Sequence, residues 1–162
     1  MFIAINSDGN RVDSCDANKN VTYFCPICCQ EVQLKKGEVN TPHFAHLKCS
    51  CLDTWNYDMS QWHKKMQNYF PQKFREVIVK YNNRKHRADI LINNIVIEFQ
   101  HSPISITEFN ERNDFFKKAG YQLAWVFDLS EQYENESLYC KEQRNLDYLM
   151  HWKHPKRIFS DI

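Results

Sequence analysis

The sequence predicts an α+β chain in two parts. Residues 1–52 read as a small β-rich module, and residues 53–162 as a larger unit of interleaved helices and strands, close to α/β in pattern. Two observations carry this division. Six of the seven cysteines and two of the three glycines lie before position 52. After that point, apolar residues recur first at helical and then at strand spacing. The stretch Asp53-Thr54-Trp55-Asn56-Tyr57-Asp58 reads as the connection.

The first part reads as short strands. Phe2–Asn6 and Arg11–Asp13 flank the turn signal Ser7-Asp8-Gly9-Asn10. Val21–Phe24 and Glu31–Lys35 follow, with a turn at Lys36-Gly37. The second part opens with a helix over about 60–70, capped by Ser60 and stopped by Pro71. Trp62, Met66, Tyr69 and Phe70 form its apolar stripe. Three strand-like runs follow, Glu76–Tyr81, His86–Ile92 and Ile95–Gln100. A second helix is expected over Ile106–Ala119. Ser105 and Glu108 make a capping box, Ile104 and Phe109 a hydrophobic staple, and Gly120 the stop. Leu123–Phe127 is a buried strand, and the tail from Ser130 reads as helical and polar. The order is helix, three strands, helix, strand.

Composition excludes several function classes. At 43% hydrophobic and 14% aromatic residues the chain can bury a core, so wholesale disorder is excluded. Three glycines leave no glycine-rich phosphate loop. No apolar run reaches membrane-spanning length, and the first residues lack a basic-then-apolar leader, so a cytoplasmic location and no membrane partner are expected. A net charge of +1 is neutral on nucleic acid. Any such contact needs a local patch, for which Lys64, Lys65, Lys73, Arg75, Arg84, Lys85 and Arg87 are candidates.

Cysteine clustering of this kind favours metal over disulfides in a cytosolic protein. Cys25-Pro26-Ile27-Cys28 is a CxxC pair and His43-Phe44-Ala45-His46 an HxxH pair, with 14 residues between Cys28 and His43. Two close pairs of soft ligands one loop apart suit a tetrahedral, structural zinc site at Cys25, Cys28, His43 and His46. A zone too small for a good core gains stability from such a staple. Cys49 or Cys51 could replace a histidine, and Cys29 reads as a bystander.

A second candidate site follows from strand parity. Asn93-Asn94 separates two apolar runs, and Asn tolerates the positive φ of a two-residue hairpin turn. Such a turn sets Ile92 against Ile95, Leu91 against Val96, Ile90 against Ile97, Asp89 against Glu98, and Arg87 against Gln100. The two carboxylates then share one face, with Cβ atoms roughly 5 Å apart. Their repulsion in an apolar setting calls for a divalent cation, Mg²⁺ or Mn²⁺. Gln100 shares that face with Glu98, because alternate strand residues point the same way.

The pattern Asp89-x8-Glu98-x-Gln100 within helix–strand–strand–strand–helix–strand resembles the PD-(D/E)xK nuclease core, with Gln100 in place of the usual lysine. More specifically, the chain resembles the competence protein CoiA family. The matching pieces are Tyr23-Phe24-Cys25-Pro26-Ile27-Cys28, Pro42-His43-Phe44-Ala45-His46, the helix with Ser60 and His63, Arg87-Ala88-Asp89-Ile90, Ile97-Glu98-Phe99-Gln100-His101-Ser102-Pro103-Ile104-Ser105, and Glu111-Arg112 before Trp125. The resemblance implies a metal-dependent DNA nuclease of DNA processing, competence or defence. It carries Asp89, Glu98 and Gln100 over as the catalytic set, with His63 on the first core helix and Arg112 on the second. Family members are often longer, which implies a C-terminal region absent or reduced here.

The expected reaction is hydrolysis of a DNA phosphodiester. Asp89 and Glu98 hold the catalytic cation, Gln100 positions water, His63 acts in proton transfer or positioning, and Arg87, Arg112 and Lys64 meet phosphate. Two rivals remain: a binding module without turnover, and a zinc-dependent module that recruits a protein partner.

Overall fold

The computed structural model describes residues 1–38, 40–47, 51, 53, 55, 57, 59–142 and 148–153. Its first sheet is built from β1 (Ile3–Asn6), β2 (Arg11–Asp13), β3 (Tyr23–Phe24), β4 (Glu31–Lys35) and β5 (His43–His46), in the order β2-β1-β3-β4-β5. Gly9 makes the β1–β2 turn at φ +80°, backbone that favours glycine. β5 is a strand that the sequence reading took only as a ligand pair. Its Phe44 is buried with Met1, Tyr23, Ile27 and Val32 in the core of this sheet.

The second sheet follows a helix. α1 (Gln61–Asn68) begins at Ser60, whose side chain accepts the His63 N–H, as the N-cap pattern predicts. Its orientation differs from the expected one. His63, Lys64 and Gln67 are buried, while Tyr69 is 69% exposed. Of the apolar stripe, Trp62 and Phe70 are half-buried against Phe99 while Tyr69 faces solvent. Polar side chains face the sheet because partners for them wait there.

β6 (Arg75–Tyr81), β7 (Arg84–Ile92) and β8 (Ile95–Gln100) form an antiparallel meander. Asn82 and Asn83 turn the first hairpin with φ of 45° and 64°, the two positive angles of a type I′ turn. At the second hairpin only Asn93 takes positive φ, 54°. α2 (Ile106–Lys118) then crosses over to β9 (Gln122–Phe127), which lies parallel to β8 at the end of the order β6-β7-β8-β9. Ser105 caps α2 by accepting the Glu108 N–H, and Gly120 ends it at φ +90°. Phe109, Arg112, Phe115 and Phe116 are its buried stripe. Phe115 and Phe116 pack with Trp55, Val79, Ala88 and Val96.

The tail departs from expectation. After the short α3 (Ser130–Glu134), β10 (Leu138–Glu142) and β11 (Tyr148–Trp152) pair as an antiparallel hairpin. Leu-Tyr-Cys and Tyr-Leu-Met-His-Trp are rich in residues that suit a pleated surface, and this outweighed the polar composition on which the helical reading rested. Among the described residues, no helix is long and apolar enough to cross a membrane.

The two larger sheets are joined by buried charge. The Glu76 carboxylate accepts the backbone N–H groups of Phe2 and Ile3, both at 2.8 Å, and faces Arg87 Nε at 3.6 Å. It does so from a left-handed backbone with φ of 45°. Lys64 Nζ lies 2.6 and 2.7 Å from the two Asp13 oxygens, and Arg11 donates to the Glu76 and Arg75 carbonyls. Glu76→Ala should therefore cost about 3–5 kcal/mol, the range for breaking one side of a buried ion pair. Urea denaturation measures it, and a loss below about 1 kcal/mol would mean that the junction does not rest on this carboxylate.

Candidate functional site

Two clusters of chemistry-bearing side chains lie in this frame. The first is in the N-terminal sheet. Cys25, Cys28, His46 and Cys51 each offer a ligand atom, all within 4.8 Å of one another. Cys25 and Cys28 sit on the turn leaving β3. There the Ile27 N–H donates to Cys25 Sγ at 3.4 Å and the Cys29 N–H to the Cys25 carbonyl at 2.9 Å. Cys25 Sγ and Cys51 Sγ are 4.0 Å apart, and Cys28 Sγ is 3.3 Å from His46 Nε2. A tetrahedron with Zn–S bonds of about 2.3 Å sets sulfurs roughly 3.8 Å apart, so this Cys₃His set fits zinc and could bind it. Burial pushes the Cys25 thiol up to about 12 and raises Cys51, while burial lowers His46 and favours the neutral, ligating imidazole.

His43 is not in this set. β5 places His43 and His46 three residues apart on one strand, so they point to opposite faces. His43 Nδ1 instead lies 2.8 Å from the Thr41 carbonyl. The HxxH spacing would bring both rings together on a helix, and β5 is a strand. Of the two replacements left open by sequence, Cys51 takes the place, and Cys49 falls outside the described residues.

The second cluster lies between α1, β7, β8 and α2. The hairpin register is as expected for Ile92–Ile95, Leu91–Val96 and Ile90–Ile97. Beyond Ile90 the side chains replace the ladder. The Phe99 N–H donates to Asp89 Oδ2 at 2.9 Å, and the Asp89 N–H to Glu98 Oε1 at 3.2 Å. Each carboxylate thus accepts an amide of the opposite strand. The expected pairing of Arg87 with Gln100 does not form, because the β7–β8 ladder ends at Ile90–Ile97.

Asp89 and Glu98 are 1% and 0% exposed, and every one of their oxygens has a donor. His63 Nε2 is 2.9 Å from Asp89 Oδ1, which Gln67 Nε2 also approaches at 3.3 Å. Arg112 donates to Glu98 Oε2 at 2.8 Å and to Glu108 Oε1 at 2.6 Å. The two acids titrate apart. Burial and then the Asp89 charge push Glu98 up to about 8, against the pull of Arg112. Burial would also raise Asp89, but the His63 imidazole and the Phe99 amide hold it below the usual range. Near neutral pH the pair keeps an extra proton, on Glu98.

The remaining expected residues have other company. Gln100 donates to the Ser102 carbonyl and lines a cleft of about 110 Å³ with His101, Pro103 and Phe127. Lys64 is buried against Asp13, and the solvent-facing lysine of α1 is its neighbour Lys65. Arg87 is buried between Glu76 and the Tyr57 ring, 3.9 Å from its centroid. Gln67 was missed, although it lies one helical turn from His63, on the same face. Asp53 was missed too. It holds His86 Nδ1 at 2.8 Å and the Tyr57 hydroxyl at 2.7 Å, which pins the connection onto β7.

Comparison with known proteins gives the family. A family model described as "Competence protein CoiA, N-terminal domain" matches residues 7–52, and one described as "Competence protein CoiA, nuclease-like domain" matches residues 56–160. The chain is 26% identical over 165 residues to "Competence protein CoiA" of Bacillus subtilis (strain 168), covering 82% of this chain. It spans 44% of that relative's length. No solved structure matches. With its larger part matched by the nuclease-like model and most of the rest by the N-terminal one, the chain belongs to the competence protein CoiA family.

Proposed function

We propose that this protein is a metal-dependent nuclease that hydrolyses DNA phosphodiester bonds at the Asp89–Glu98 pair, on a core of the PD-(D/E)xK kind. The observation that carries the reading is the pair itself. Two carboxylates are held together out of water, one of them strained enough to keep its proton near pH 8. Such perturbed, convergent acids are a mark of functional sites. Their donor chemistry fits a hard divalent cation, since all the candidate ligand atoms are oxygens. When bound, Mg²⁺ or Mn²⁺ would supply a more acidic water and charge stabilisation at phosphorus.

The chain's own residues then have distinct roles. Asp89 and Glu98 hold the cation. His63 fixes the Asp89 carboxylate from α1, and Arg112 fixes Glu98 from α2, so both are positioning residues. Gln100, on the rim of its small cleft, orients water or a phosphate oxygen. A groove of about 970 Å³ beside α1, whose lining does not include the acid pair, is the surface for DNA: Trp62 and Tyr69 offer stacking faces there and Lys65 a charge for phosphate. The Cys₃His centre supports the fold of the N-terminal sheet. That sheet is anchored to the second by Glu76 and Lys64, so a merely appended recruitment module fits poorly.

A second reading has an observation of its own. Every Asp89 and Glu98 oxygen already accepts a hydrogen bond, so the network is compensated without a cation. A nucleic-acid-binding module without turnover needs nothing more. Single-stranded and plasmid DNA incubated with the protein and Mg²⁺ or Mn²⁺, beside Asp89→Asn, separates the two. Cleavage by the wild type and at least about a hundredfold less by the variant is expected, the scale of losing a metal or electrostatic contribution. DNA binding with no cleavage in either cation would leave the second reading in place.

A further inference from the structure

His101 is the first residue after β8, next to Gln100. Its side chain is 47% exposed, whereas those of His63 and His86 are each 2% exposed. His101 Nδ1 lies 2.8 Å from Asp128 Oδ2. The other oxygen of that carboxylate accepts the Ser130 N–H at 3.1 Å and the Ser130 hydroxyl at 2.6 Å. The Asp128 N–H donates to the Gln100 carbonyl at 2.8 Å, so the residue is tied to β8 as well as to α3. Burial would raise Asp128, but Ser130 and His101 hold it below the usual carboxylate range. A carboxylate at Nδ1 keeps the proton of a neutral imidazole on that nitrogen and leaves Nε2 as the basic atom. Among the described residues, Nε2 of His101 has no hydrogen-bond partner.

We propose that His101, held by Asp128, is the general base that takes the proton of the attacking water oriented by Gln100. This rests on the hydrolysis proposed above and names the group that receives the proton. Three considerations converge. Gln100 shares a face of β8 with Glu98, two residues or roughly 7 Å further along. Gln100 and His101 line the same cleft of about 110 Å³, room for a few water molecules. His63 cannot serve, because it is sealed in the core with Nε2 against Asp89. His101 also stands where the cleft meets the DNA surface. Its ring stacks on that of Trp62, which lines the groove, with centroids 6.0 Å apart and planes at 28°. An exposed ion pair adds little stability, so folding alone gives no reason to hold Asp128 from both β8 and α3. In the step itself, the water oxygen bonds to phosphorus as its proton moves to Nε2. The bond from phosphorus to the leaving oxygen breaks, and that oxygen takes a proton from solvent. Nε2 then returns its proton to solvent.

Cleavage and binding of DNA by the zinc-loaded full chain with Mg²⁺ or Mn²⁺ test this, with wild type, His101→Ala, Asp128→Asn and Asp89→Asn. His101→Ala is expected to lower kcat about a hundredfold or more, the scale of losing a general base, with DNA affinity unchanged. Added imidazole should restore part of the lost rate, and substituted imidazoles should do so in the order of their basicity. Asp128→Asn should also slow cleavage, because the ring loses its fixed tautomer. Nitrogen-15 resonances of the neutral His101 ring give a readout apart from activity. They should show the proton on Nδ1 in wild type and a shift of it toward Nε2 in Asp128→Asn. Cleavage that Asp89→Asn loses and His101→Ala keeps overturns this proposal and leaves the Asp89–Glu98 site intact. A slow His101→Ala that binds DNA weakly and gains nothing from imidazole overturns it too, since the residue then acts by binding. So does a wild-type ring with its proton on Nε2. A wild type that cleaves in neither cation overturns both readings.

Discussion

Replacing Cys51 with serine is expected to strip the metal from the N-terminal sheet, whereas His43→Ala is expected to leave it. Protein purified without added metal should carry about one zinc per chain by elemental analysis, as a closed tetrahedral set binds one ion. The four donors come from the β3 turn, from β5 and from the segment after it, so a bound ion would tie these pieces together. Structural zinc binding contributes about 10–16 kcal/mol in small domains whose folding depends on it. Here the sheet also has a core around Phe44 and Tyr23, so loss of metal is expected to melt the sheet at lower temperature rather than abolish it. The loss should reach the second sheet, because Glu76 and Lys64 find their partners in the first. Binding must release protons, since burial holds the Cys25 thiol near 12 in the absence of metal, and zinc retention should therefore fall in acid. Zinc far below one per chain would sink the site. Loss of zinc in His43→Ala but not in Cys51→Ser would sink this ligand set.

Arg112→Met is expected to be the most destabilising single change in the second sheet, by about 3–5 kcal/mol, the range for removing one partner of a buried ion pair. Arg112 carries the counter-charge for Glu98 and joins it to Glu108, while its guanidinium lies 5.1 Å from the Trp55 ring centroid and 5.2 Å from that of Tyr57. Without it, Glu98 faces the Asp89 carboxylate with its guanidinium partner gone. The cost depends on pH, and its sign follows from the proton on Glu98. The folded-state value near 8 lies above the ordinary 4.5, so the stability that the protonated form contributes is full below about 4.5 and is lost as pH rises through 8. Wild type without added Mg²⁺ or Mn²⁺ should thus melt lower at pH 9 than at pH 6. Glu98→Gln, which has no proton to lose, should be flat across that window. Arg112→Met should be closest to wild type at the acid end and fall away as pH rises. In the Glu98→Gln background, Arg112→Met should cost less, because the charge that it compensates is gone. Thermal melts of the four proteins from pH 5 to 9 complete the cycle. Equal costs of Arg112→Met in both backgrounds, with no pH dependence, would mean that the arginine acts by packing alone.

Much of this was legible in the sequence because it is local. The Ser60 and Ser105 caps, the Gly120 stop and the two-residue turn at Asn93-Asn94 are dictated by backbone chemistry within a few residues, and α1, α2 and the β7–β8 hairpin start where those signals put them. Strand parity put Asp89 and Glu98 on neighbouring strands for the same reason. What the tertiary structure alone decided concerns partners far apart in the chain. Spacing cannot say whether His43 and His46 share a face, since that depends on β5 being a strand paired with β4, and the structure brings Cys51, not His43, beside Cys25, Cys28 and His46. Parity predicted an ordinary ladder at Asp89, but buried carboxylates take the nearest amides, so two side chains replaced it. The sequence marked the apolar stripe of α1 but not the polar side chains that the fold would bury. Asp89, partner of His63 and Gln67, and Asp13, partner of Lys64, drew its polar side chains inward, because a buried charge needs its partner more than an exposed tyrosine needs cover.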